Sequence, residues 1–379
     1  MNRLVIIGNG FDIAHGLKTS YMDFINWYWD QRINAFVGNT SKVSEDILCK
    51  LQIKDNEYIS CWNVFAYQNS FFFKDIYHKE RYSGFEIIQE IQKHPEVFSV
   101  KYCPLFENIQ QSIEIKGWVD IENDYYQLLK NCATNVDSNE TISELNMQLA
   151  FLQTKLVEYL QTIETDVFRN DLQGAMKDRL NPDDFSTEGK SKALDNIGIN
   201  ISDLATIRRN LRKFNKLFPE CTMLLSFNYT ATAGKYEEDN TIYNYIHGRL
   251  DHPENIIFGY GDELDKRYQG ILDKNDNEFL RNVKSVRYLE TRNYHDLLEF
   301  LISAPFQVLI MGHSCGNSDR TLLNTIFEHE NCISIKPYYH RWQDGTDNYL
   351  ELVQNISRNF TNMKLLRDRV VNKEQCQTM

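Results

Sequence analysis

Apolar positions along the chain follow two rhythms. Near both ends they form short unbroken runs closed by glycine or small polar residues. Leu4-Val5-Ile6-Ile7, Met223-Leu224-Leu225-Ser226-Phe227, Ile242 to Ile246, Ile256-Ile257-Phe258, Phe306-Gln307-Val308-Leu309-Ile310-Met311 and Ile333-Ser334-Ile335 are of this kind. Such runs read as strands covered on both faces. Amphipathic stretches lie between them. Ser20-Tyr21-Met22-Asp23-Phe24-Ile25 looks like a cap and a helix start, His295 to Ile302 another helix, and Ser318-Asp319 the cap of a helix reaching Phe327. Strands alternating with helices predict an α/β fold with a parallel sheet, and such sheets bind ligands beyond the carboxyl ends of their strands.

From about Ser41 to Leu217 strand signals fade and long helical periods take over. Ile142, Leu145, Leu149, Leu152, Leu156, Tyr159, Ile163 and Val167 make one apolar seam, with Thr141 and Glu144 placed as a capping box. The division read from this change is a core of residues 1–40 and 218–379, interrupted by a mainly helical insertion of 41–217. The seam is read first as packing within a helical bundle, with a subunit or partner contact as the alternative.

Composition narrows the function classes. A formal charge of −12 disfavours extended binding to nucleic acid or anionic lipid. One basic cluster, Arg208, Arg209, Arg212, Lys213 and Lys216, reads as a solvated helix face. Leu4 to Ile7 is too short for a signal-peptide core, and no apolar run is long enough to span a membrane, so a cytoplasmic location is expected. The eight cysteines are scattered without a CxxC pair, which favours free thiols and gives no zinc-site pattern. No metal ligand set is assigned.

Four motifs fall at predicted strand ends. Gly8-Asn9-Gly10-Phe11-Asp12 follows the first strand, where glycines let backbone approach a pyrophosphate, although Ile13 stands in place of the third glycine of the full dinucleotide fingerprint. Asp12 is read as a helix cap or a ribose partner. Ser226-Phe227-Asn228-Tyr229-Thr230 and Tyr245-Ile246-His247-Gly248 close two more strands, and His247 there can act as a base near neutral pH. Gly312-His313-Ser314, with Asp319 at the next helix start, completes the set. Taken singly, each reads as ordinary turn or cap chemistry; together they suit one ligand crevice. Tyr260-Gly261-Asp262-Glu263 and the pair Asp120 and Glu122 rank below them.

The run from Leu4 to Leu17, continuing through Thr19-Ser20-Tyr21 and Asp23-Phe24, resembles the AbiH family of phage abortive-infection proteins. Trp118-Val119-Asp120-Ile121-Glu122 and Ile310-Met311-Gly312-His313-Ser314 with Ser318-Asp319 resemble it too. More distantly, a glycine loop followed by Asn-Tyr, His-Gly and Gly-His-Ser is similar to sirtuin-like domains, which bind NAD on a Rossmann-type sheet. That likeness implies Gly8 and Gly10 at the pyrophosphate, Asn228 at the nicotinamide ribose, His247 as base and Ser314 near the adenosine. Asn9, Phe11, Asp12, Tyr229, Gly312, His313 and Asp319 complete the implied binding set. The chain departs from that pattern by lacking a zinc-binding cysteine quartet and by carrying Thr230 where many relatives have aspartate.

The resemblance implies an anti-phage protein that cleaves NAD at its glycosidic bond, with Asn228 and His247 catalytic. NAD is then substrate or ligand, and no further cofactor is required. A nucleotide sensor without turnover and an interaction module built on the helical seam are the alternatives. A phage-derived trigger and a homo-oligomer are expected partners, because an always-active NAD hydrolase would poison its host.

Overall fold

The computed structural model describes all residues except 39–42, 55–82, 117–119, 135–140, 164–167, 200–203 and 237–238. In chain order the described strands are β1 (Asn2–Ile7), β2 (Val43–Glu45), β3 (Cys49–Ile53), β4 (Phe98–Tyr102), β5 (Thr222–Ser226), β6 (Thr241–Tyr245), β7 (Phe306–Met311) and β8 (Cys332–Tyr338). Contacts divide the chain into two compact units, one of Met1–Lys18 with Glu164–Met379 and one of Thr19–Ile163. These limits differ from the composition boundaries at 41 and 217. The helix Tyr21–Gly38 packs with the second unit, while the helices of residues 170–214 pack with the first.

The first unit is mixed α/β, built on a five-stranded sheet ordered β6-β5-β1-β7-β8 with every pairing parallel. By order of appearance these strands run 3-2-1-4-5, so the winding reverses between β1 and β7. The continuous apolar runs of β1 and β7 follow from their central places, where all six residues of each are buried. Edge strand β6 shows a half-exposed pattern, and edge strand β8 tolerates Pro337. Successive side chains serve opposite faces. Leu4, Ile6, Met223, Leu225, Val308 and Ile310 pack on one side against the helices Asn293–Ser303, Arg320–Phe327 and Tyr349–Arg358. Val5, Ile7, Leu224, Leu309 and Met311 pack on the other against Phe11, Leu172, Met176 and Tyr236.

Two expectations need correction here. Ile256-Ile257-Phe258 is buried but forms no strand; Ile257 N–H donates to His247 O at 2.9 Å, and Tyr260 just beyond it forms an isolated bridge to Val283. Asn9 and Gly10 do not form a free turn, because helix α1 (Asn9–Ala14) starts immediately after Gly8.

The second unit is mostly helical, as its periodicity predicts, but it also holds a small antiparallel sheet ordered β2-β3-β4. The residues of β3 alternate in burial over only five positions, too brief a signal to stand out among helices. The helix Ile142–Leu160 begins at the predicted Thr141–Glu144 capping box. Leu145, Leu149, Leu152 and Leu156 of its seam are buried within the chain. Ile163 lies beyond the helix, and Val167 lies outside the described residues. Among the described residues no helix is long and apolar enough to cross a membrane.

Candidate functional site

The four motifs leave the carboxyl ends of β1, β5, β6 and β7, and the first and last flank the reversal of strand order. Open sheets bind ligands at such a reversal. Here the two loops interlock. Gly8 N–H donates to Met311 O (3.1 Å), Gly10 N–H to Gly312 O (2.8 Å) and Phe11 N–H to Gly8 O (2.9 Å). Gly312 has a φ of +74°, and a Cβ there would lie 2.0 Å from Phe11 N. These glycines allow backbone to touch backbone, and the three amides are already engaged.

Two buried carboxylates organise the polar side chains. Asp12 is the first. Its Oδ2 accepts a 2.6 Å hydrogen bond from Thr230, whose own Oγ1 lies 3.2 Å from Thr232 Oγ1. Asp12 Oδ1 is buried without a hydrogen-bond partner. Burial raises the Asp12 pKa, against the opposing pull of Thr230, Thr232 and Asn228. Asn228 commits its side-chain amide to Gly8 O at 3.0 Å. His15, one helical turn from Phe11, places Nδ1 2.7 Å from Phe11 O and Nε2 2.5 Å from the Tyr236 hydroxyl. The carbonyl can only accept, so Nδ1 carries the proton and Nε2 accepts from Tyr236.

Asp319 centres the second cluster. Its Oδ1 lies 2.7 Å from Lys284 Nζ and 3.3 Å from His247 Nε2. Its Oδ2 lies 3.4 Å from Ser318 Oγ and 3.6 Å from His313 Nε2. His247 Nε2 is also 3.1 Å from the Tyr288 hydroxyl. The Phe227 ring packs between the imidazoles, 5.0 Å from His247 and 4.2 Å from His313 between centroids. Lys284 holds the Asp319 pKa well below the usual carboxylate range despite burial, with His247 contributing. Burial, aided by the Lys284 charge, lowers the His247 pKa to about 4, so the ring is neutral at pH 7. A neutral imidazole anchored by a carboxylate is suited to accept a proton.

A family model described as bacteriophage abortive infection AbiH matches residues 4–340. The chain belongs to the AbiH family. Membership carries a role in abortive infection by bacteriophage. No curated protein matches, and no solved structure matches.

Within this AbiH-family chain the predicted residues separate into groups. His247, His313 and Asp319 come together as described. Asn228 and Asp12 meet around Gly8 and Thr230, and Gly8 backs directly onto His313, since a Cβ added to it would lie 2.5 Å from His313 Cα. Tyr229 hydrogen-bonds Ile257 O through its hydroxyl and sets its ring 6.4 Å from that of His247. Phe11 is a core residue whose ring packs tilted against His15 and edge-on to Tyr236. Asn9 and Ser314 are exposed. Asp319 starts the helix Arg320–Phe327 as expected, yet its side chain makes no cap bond, because the carboxylate is turned to Lys284 and the histidines.

Among the residues ranked lower, Gly261 of the 260–263 loop joins the second cluster, its N–H donating to Ser318 O at 2.9 Å. Asp120 caps the helix Ile121–Thr134 through Asn123 N, while Trp118 and Val119 lie outside the described residues. Arg209, Lys213 and Lys216 of the basic cluster are exposed. Sequence reasoning missed Lys284 and Tyr288. Neither belongs to a recognisable motif, and Lys284 reaches Asp319 through the bridge that Val283 makes to Tyr260.

Proposed function

We propose that this AbiH-family protein is an NAD-cleaving effector whose first unit is a Rossmann-type, sirtuin-like core with its site along the carboxyl edge of the parallel sheet. The observation that carries the reading is His247, neutral and tied to Asp319, which follows β7 at the strand-order reversal. The 3-2-1-4-5 order is that of five strands of a dinucleotide-binding sheet. In the reaction, water attacks the ribose carbon as the bond to nicotinamide breaks. The bonding electrons go to the nicotinamide nitrogen, cancelling its positive charge, and the water proton goes to His247. Asp12, with one oxygen unpartnered, fits a ribose hydroxyl. The glycine-loop amides fit a pyrophosphate less well, because they bond to Gly312 and to their own turn. Activation by a phage-derived trigger that parts the loops answers this point and spares the uninfected host.

The test is nicotinamide release from NAD by purified protein, with and without lysate of infected cells. Wild type should release nicotinamide with the trigger present, and His247→Ala should lose about 10²- to 10⁴-fold in rate. NAD bound by the triggered protein yet left uncleaved would overturn the proposal. That outcome would favour the second reading, a nucleotide sensor without turnover. Its specific support is that Asn228 and Thr230 are already committed to Gly8 and Asp12.

A further inference from the structure

Asp319 has more partners than a helix start requires, and His247, Lys284 and His313 come from three separate segments. We infer that Asp319 and Lys284 are positioning residues for His247. The carboxylate fixes the imidazole proton on Nε2, so that Nδ1 is the nitrogen that receives the proton of the attacking water. The inference rests on the reading of His247 as the base.

The hydrogen bonds argue for it. His313 Nδ1 accepts from the Cys315 N–H at 3.0 Å, so the proton of neutral His313 sits on Nε2, facing Asp319. A His247 Nε2 lone pair at 3.3 Å from the same carboxylate would repel it, whereas an N–H is attracted. His247 Nδ1 makes no hydrogen bond to a described residue and keeps its lone pair. Lys284 completes the device. Its side chain is almost fully buried, and a buried ammonium needs a counter-charge. The pair therefore keeps Asp319 ionised while setting opposed charges beside His247. The groups facing that ring are Lys284, Asp319, His313, Tyr288, Phe227 and Tyr229. Lys284 opposes protonation of His247 and Asp319 favours it, so the ion pair orients the ring without making it strongly basic.

Long-range nitrogen–proton NMR on the full-length protein reads the tautomer directly. Wild-type His247 should be protonated at Nε2 at neutral pH. In Asp319→Asn the Nδ1-protonated form should appear beside it. In Lys284→Met the titration midpoint of His247 should rise by about one pH unit or more. Each single change strands a buried charge, so the double variant Asp319→Asn/Lys284→Met supplies a folded protein in which the tautomers should mix. A wild-type ring protonated at Nδ1, or a double variant that keeps the Nε2 form alone, overturns the inference. Nicotinamide release measured in parallel separates the two ideas. The expected tautomer with no nicotinamide under any trigger sinks the NAD reading alone, while a reaction whose pH profile ignores Asp319→Asn sinks the positioning role alone.

Discussion

Asp12, on helix α1, and Asp319, at the start of the helix Arg320–Phe327, lie at the same edge of one sheet and are 1% and 7% exposed, yet their pKa values move in opposite directions. Asp12 is held by neutral groups, and loss of hydration raises its pKa. Asp319 suffers the same loss, but an ammonium 2.7 Å away reverses the result. Depth therefore does not decide the direction in which a buried acid's pKa moves at this edge. A single cation does. One acid is consequently a fixed anion bracketed by histidines, and the other is a carboxyl whose pKa burial raises.

The largest expected effect comes from breaking the ion pair. Lys284→Met leaves Asp319 buried without its cation and should cost about 3–5 kcal/mol, measured by denaturant unfolding. Adding Asp319→Asn should recover much of that loss, since an uncompensated charge is worse than none. The sign with pH follows from the lowered pKa of Asp319. Its stabilising contribution is present above the unfolded carboxyl value, about 4, and disappears as pH falls through the folded value. If Lys284→Met unfolded no more easily than wild type at pH 7, the contrast between the two acids would collapse.

A smaller loss tests the neutral side. Thr230→Val removes the hydroxyl that donates the 2.6 Å hydrogen bond to Asp12 Oδ2, beside an Oδ1 that already has no partner. The expected cost is about 1–3 kcal/mol. The Asp12 pKa should climb further, because the missing bond favoured the ionised form. Carbon-13 NMR of the carboxyl group follows that titration. An unchanged midpoint would mean that Thr230 does not set the state of Asp12.

Much of this edge was legible in the sequence. Unbroken apolar runs can be read as central strands, so the glycine and polar residues after Ile7, Phe227, Ile246 and Met311 had to lie at strand ends. His247, His313 and Asp319 were named on that ground and do meet. Lys284 was not legible, because nothing local distinguishes a lysine that a distant bridge will bury from one that stays in water. The glycine loop was legible only by half. Its residues permit close backbone approach, but that the approaching backbone is Gly312 depends on how β1 and β7 are paired. Likewise Asn228 was placed at the correct edge, while its commitment to Gly8 O needed the packed loops. The short strands β2 to β4 were hidden because three to five residues cannot outweigh the helical periods around them.

The smallest change, Asp12→Asn, sharpens the comparison most, because it predicts a slope and not a loss. An acid whose folded pKa is raised stabilises the fold fully below its unfolded value, about 4, and that contribution is lost as pH rises through the folded value. Ionised Asp12 is therefore a burden at neutral pH, which asparagine removes. The amide oxygen can still accept from Thr230, but its NH2 then occupies the place where Oδ1 has no partner, which returns part of the gain. The net change at pH 7 should stay within about 1 kcal/mol. The informative quantity is the difference in unfolding free energy between variant and wild type across pH. For Asp12→Asn it should move in favour of the variant as pH rises from about 4 toward neutrality. For Asp319→Asn, the carboxylate held by Lys284, it should move the opposite way over the acidic range. Parallel slopes for the two variants would show that the cation beside Asp319 does not set these acids apart.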